Sequence, residues 1–358
     1  METIISFLET FIPFVIVLGI LVFVHELGHF LTAKRAGVKV LEFGFGYPPR
    51  LFAVRRNETD YSINLLPLGG FVRLLGEEDP SEPGSLASRG VWTRFVVLCA
   101  GSAMNAILAV ALFAISFMVP RDVTTGPVVI SEVVANSPAE MAGIKSGDTI
   151  VKINDRRIQS TADVSYAVHL NIGSETTVVL QRDRFTQSSV KLIPRWNYPA
   201  NQGPMGVVIS MPTGYKSQEA YPIWEAVPMG IRKSLDMLVI TKNDLVSMAI
   251  RRILPEVAGP IGIAQMTGEV SRIGFGYLVE FAGLLSINLA VMNMLPIPML
   301  DGGRVFFVLL EGVRRGRRIP AEKEAFVHMV GMALLLGFVA LISYYDILRI
   351  IKGESLFR

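Results

Sequence analysis

Four stretches of the chain, residues 5–30, 93–119, 275–300 and 326–346, are apolar over about the 20 residues that a helix needs to cross a bilayer. Lipid offers the backbone no hydrogen-bond partners, so runs of this length and composition are expected to be helical. Of 358 residues, 51% are hydrophobic and only 18% charged, which is too apolar for a soluble domain of this size. The third stretch is the least apolar, because it carries Glu280, Asn288, Asn293 and two prolines. The opening "METIISFLETF" has no basic region before its apolar run and no small-residue cleavage site, so it reads as a retained first span.

The placement of Lys and Arg sets the expected orientation. The connection between the first two stretches runs from Lys34 to Arg94 and is rich in basic residues, whereas the first ten residues have none. The connection "GGRVFFVLLEGVRRGRRIPAEK" between the last two is again rich in arginine. Both connections are therefore expected in the cytoplasm, with both chain ends and residues 120–225 on the far side. The net charge of +3 is spread in short clusters rather than in one stripe, which argues against nucleic acid as a partner. The single cysteine, Cys99, rules out an internal disulfide.

The expected architecture is a polytopic α-helical membrane protein of about four spans, with a membrane-associated β-hairpin and one inserted α+β module. Residues 1–120 form a first membrane part. Within it residues 41–76 read as the hairpin, from the alternation of Tyr61, Ile63 and Leu65 followed by a break at Pro67-Leu68-Gly69-Gly70. Residues 121–200 hold the module, in which "GPVVISEVV", "DTIVKINDRRI" and "TTVVLQRD" read as strands and the segments between them as short helices. Its phrase "VVANSPAEMAGIKSGDTIVKINDRRI" resembles a PDZ domain of the bacterial protease type, a groove that could take a peptide ligand. Residues 201–253 read as a linker followed by interfacial amphipathic helices, and residues 254–358 as a second membrane part.

His25-Glu26-x-x-His29 lies in the first span. Four residues apart on a helix, the two imidazoles share one face and can reach one metal. Glu26 is then placed to act on a metal-bound water. With only four histidines in the chain, such a box arises by chance on the order of 10⁻³ times. Ionisable groups at membrane depth need partners, and one zinc ion per chain supplies one. The bland alternative is two histidines and a glutamate capping a helix end. A third ligand is sought in "NLAVMNMLPIPMLDGGR", where Asp301 follows a proline-broken helix end. Asn288 and Asn293 there could bind a substrate backbone or, like Asn105, serve as glue between helices.

These motifs, together with "PLGGFVRLLGE", the PDZ-like insert and "GPIGIAQ", occur in the order seen in site-2 intramembrane metalloproteases. The chain most resembles the bacterial regulator of sigma-E protease (RseP) group, over nearly its whole length, although a second PDZ-like phrase is absent. The resemblance implies His25, His29 and Asp301 as zinc ligands and Glu26 as base. It also implies a substrate path along Asn293 and Pro298, and pairing of an unwound substrate with the hairpin at Ile63, Leu65, Gly69 and Gly70. The implied activity is endoproteolysis within single-span proteins, such as anti-sigma factors after a first cut or remnant signal peptides. The implied setting is the bacterial inner membrane and a stress response, with the module periplasmic and the zinc site near the cytoplasmic side. Two other classes fit the residues less well: a quality-control metalloprotease acting on misfolded or soluble segments, and a non-catalytic PDZ scaffold.

Overall fold

The computed structural model describes residues 2–77, 79–182, 186–199, 202–252 and 258–352. The boundaries expected at 200/201 and 253/254 lie outside the described residues. The chain opens with α1 (Glu2–Arg35), β1 (Val40–Arg56), β2 (Thr59–Leu74) and α2 (Val91–Met118). There follow β3 (Arg121–Thr125), β4 (Val128–Val133), α3 (Pro138–Met141), β5 (Thr149–Ile153), β6 (Arg156–Arg157) and α4 (Thr161–Leu170). Next come β7 (Thr176–Gln181), β8 (Gln187–Leu192), β9 (Val207–Ser210), β10 (Tyr215–Glu219) and α5 (Ile223–Arg251). The last elements are α6 (Pro260–Ile273), α7 (Phe275–Met294), α8 (Asp301–Val313) and α9 (Ala321–Ile351). Two compact units result, one of Met1–Ser116, Ile223–Ser234 and Val257–Arg358, the other of Phe117–Pro222 and Leu235–Glu256.

The first unit holds four helices long and apolar enough to cross a membrane, Glu9–Arg35, Val91–Met118, Phe275–Met294 and Glu322–Ile351. The chain is thus a polytopic membrane protein, and its outward Ile12, Ile16, Leu334 and Phe338 suit a lipid environment. Helices α1 and α2 touch backbone to side at Gly28, where a Cβ would stand 2.4 Å from Ala100 O. Val38, Val40, Val97 and Val305 form a core beneath this contact, and Val17, Leu21 and Ala282 form another farther along α1.

Strands β1 and β2 meet at Asn57, whose φ of 55° supplies the left-handed turn. A second reversal falls at the expected Pro67-Leu68-Gly69-Gly70, inside β2, and the segments before and after it each pair with β1. There Gly69, with φ 137°, lets the strand swing back, so that Gly70–Leu74 run beside Val40–Phe45. Residues 42–45 are consequently flanked twice, by 60–63 on one side and by 70–73 on the other. The outer segments are 50–56 and 70–74. Buried Glu42 locks the curl, accepting from Arg50 Nη2 at 2.5 Å and from Ser62 Oγ at 2.8 Å.

In the second unit six strands pair antiparallel in the order β8-β7-β5-β4-β9, with β6 on β5, while β3 pairs with β10. Val128, Ile130, Ile150, Val178 and Leu180 fill the core against Val164 and Val168 of α4. Ser137 caps α3 ahead of Pro138, and Ser160 with Asp163 makes a capping box for α4. The linker reading of residues after 200 is corrected here: Val207–Ser210 pair with β4 and Tyr215–Glu219 with β3. A four-residue strand among glycines and prolines carries too little alternation to be seen in sequence. Helix α5 is one continuous helix, and two of its acidic groups find partners within this unit. Asp236 accepts from Tyr166 Oη at 2.8 Å and pairs with Arg156, and Asp244 lies 2.9 Å from His169 Nδ1.

Candidate metal centre

One turn apart on α1, His25 and His29 bring their Nε2 atoms to 3.2 Å from each other. Asp301 Oδ2 stands 3.0 Å from His25 Nε2 and 3.2 Å from His29 Nε2. The ligand atoms of all three lie within 4.8 Å of one another. Two nitrogen donors and a carboxylate converging on one spot, in a place shielded from water, could hold a metal ion.

The segment before Asp301 explains how it reaches α1. Helix α7 ends at Met294, and Met299 takes φ 78° with its N–H donating to His328 Nδ1 at 3.0 Å. Helix α8 then begins at Asp301 hard against that segment: a Cβ on Gly302 would lie 2.2 Å from Leu295 O, and one on Gly303 2.5 Å from Ile297 O. The two glycines are therefore steric requirements of the approach.

The donor set also has room for an ion. A Cβ on Gly101 of α2 would stand 2.3 Å from His29 Nε2 and 2.6 Å from His25 Nε2, so the missing side chain keeps space beside both donor atoms. On the same turn of α1, Glu26 Oε2 accepts from Val72 N at 3.0 Å, which ties the carboxylate to the outer segment of the sheet. Gly70 passes beside it, with its Cβ position 3.7 Å from Glu26 Cγ, and Gly69 borders Val22. Ile63 and Leu65 are exposed, and Ile63 sits on the inner segment paired with both Phe45 and Phe52. Asn293 is half-buried near the end of α7. Pro298 lines an apolar cavity of about 480 Å³ with Ile297, Phe326, Val330 and Leu334.

Sequence reasoning missed His328, which holds the backbone ahead of Asp301, and Val97, whose carbonyl lies 2.8 Å from His29 Nδ1. It also left Gly101 unread. None of the three carries a signal of its own, although Val97 and Gly101 share with Asn105 a spacing of four on α2 that matches that of the two histidines.

These elements define a membrane-embedded metallopeptidase: the chain belongs to peptidase family M50, whose sequence pattern matches residues 13–338. Among relatives, a Clostridium acetobutylicum protein is 36% identical, covering 93% of this chain and 96% of its own length. The regulator of sigma-W protease RasP of Bacillus subtilis is 30% identical, covering 96% of this chain and 99% of its own. The zinc metalloprotease RasP of Bacillus licheniformis is also 30% identical, over 96% of this chain and its own full length.

Proposed function

We propose that this zinc metalloendopeptidase cuts peptide bonds inside the membrane segments of single-span proteins, with zinc held by His25, His29 and Asp301 and Glu26 as base. Its class follows from membership in family M50 and from relatives named zinc metalloprotease RasP and regulator of sigma-W protease RasP. The observation that carries the site is the convergence of the three donor atoms beside Gly101, with Glu26 on the same helical turn. When bound there, zinc supplies Lewis acidity to the scissile carbonyl and to the attacking water. Glu26 would take a proton from that water as the C–O bond forms and then deliver it to the leaving amine as the C–N bond breaks. Val72 N–H holds Oε2, which leaves the other oxygen to carry the proton.

A helical substrate must unwind before its carbonyl is reachable. Outer segment 70–74 supports strand addition beside the base, where Gly69 and Gly70 present no side chain. Asn293 and Pro298 continue the path. The sheet unit is read as a PDZ-like module on the periplasmic side, a size filter for substrates trimmed by a first cut. Its groove between α4 and the outer strand β9, lined by Val164, Val168, Met205 and Ile209, supports docking of a peptide end. Anti-sigma factors and remnant signal peptides are the substrate classes, in a bacterial inner membrane with the zinc site toward the cytoplasm.

The test is cleavage of a tagged single-span substrate by the wild type and by Glu26→Gln, with metal assayed in both. Lost cleavage with zinc retained at one per chain is expected. Equal cleavage by the variant removes Glu26 as base, and no cleavage by zinc-loaded wild type on several trimmed substrates favours a scaffold.

A further inference from the structure

We infer that Asn105 is a positioning residue for the metal centre: its carboxamide oxygen accepts the Nδ1 proton of His25 and so aims the Nε2 lone pair at the ion. The inference rests on the reading of His25, His29 and Asp301 as ligands. Asn105 is 1% exposed and its amide group lies 3.3 Å from His25 Nδ1. Oδ1 has no partner among the described residues while Nδ2 faces the imidazole. A histidine that gives Nε2 to a metal must carry its proton on Nδ1, which makes Nδ1 a donor. Two donors cannot face each other. A half-turn of the amide about its terminal torsion exchanges oxygen and nitrogen within the same envelope, and Oδ1 then meets the proton.

The neighbouring histidine supplies the pattern. His29 Nδ1 lies 2.8 Å from the carbonyl of Val97, an acceptor with no donor alternative, which fixes its tautomer with Nε2 free. Val97, Gly101 and Asn105 fall one turn apart on α2 and meet the two imidazoles across a close helix contact. The first and last accept the two Nδ1 protons, and the middle one leaves space at the two Nε2 atoms. Ser286 Oγ donates to the Asn105 carbonyl at 2.7 Å, which anchors this part of α2 to α7. The row on α2 thus sets both tautomers, a role beyond gluing helices together.

The test uses the full-length chain in detergent and reads zinc affinity by competition with a chromophoric chelator, with Co²⁺ absorption as a second report on ligand geometry. Asn105→Leu keeps volume without an acceptor, and Asn105→Asp keeps an acceptor without a donor. Asn105→Leu and Asn105→Ala are expected to weaken zinc binding by about 10- to 100-fold, and Asn105→Asp to bind within a few-fold of wild type. Wild-type affinity in Asn105→Leu, or an Asn105→Asp as weak as Asn105→Ala, overturns the inference while leaving the ligand set intact. Should Asn105→Leu fail to fold, the contrast between Asn105→Ala and Asn105→Asp decides. A wild type that takes up no zinc removes the ligand reading, and the inference with it.

Discussion

In the proposed metal site, Gly101 matters although it binds nothing. Gly101→Ala would set a methyl group 2.3 Å from His29 Nε2. It should abolish zinc uptake and cleavage with helix content unchanged, as metal analysis beside circular dichroism would reveal. The histidine pair was legible because a spacing of four needs only the helix itself. Asp301 was legible because prolines and glycines flag a broken helix end. Gly101 and Val97 were not, because their roles exist only once α1 and α2 are in contact, and a backbone carbonyl has no sequence signature. In the sheet unit, Asp148 illustrates a different single-residue effect. Bidentate hydrogen bonds from Arg182, both 2.8 Å, hold its carboxyl below the ordinary range. The stabilisation is therefore present above the unfolded value of about 3.9 and is lost as pH falls through the lower folded value. Asp148→Asn should cost about 1–2 kcal/mol at pH 7, and the gap from wild type should shrink below about pH 4 in denaturation curves across pH.

Among the elements, α6 depends on a cap lent by another helix. Gly262 N donates to Asp346 Oδ2 of α9 at 2.9 Å, and a Cβ on Gly259 would lie 2.7 Å from the same oxygen. This explains the glycines of "GPIGIAQ", which sequence reading could align but not interpret. Asp346→Ala should destabilise the chain by about 1 kcal/mol and Asp346→Asn by less, measured as melting shifts in detergent. Gly302→Ala tests the segment that carries Asp301, the proposed third ligand. By forcing α8 off Leu295, it should lower zinc occupancy although residue 302 touches no metal, and wild-type occupancy would refute that account. The long apolar helices were plain in the sequence, since twenty residues carry their own evidence. The curl of β2 and the strand β9 were not, because short strands gain meaning only from partners distant in sequence.

Across the whole molecule, neither compact unit is one continuous piece of chain, since residues 223–234 join the first and 235–256 the second although α5 spans both. Such an arrangement was out of reach of a reading that cuts the sequence into consecutive domains. A chelator such as phenanthroline should stop proteolysis, and added zinc should restore it, if the ion is exchangeable in the folded chain. The separation of 272 residues between His29 and Asp301 bears on biosynthesis. A ribosome makes α1 with its two imidazoles long before it makes Asp301, which in the proposed site completes the donor set. With Asp301 as the third ligand, the nascent chain would stay harmless to neighbouring membrane proteins until that residue has been made.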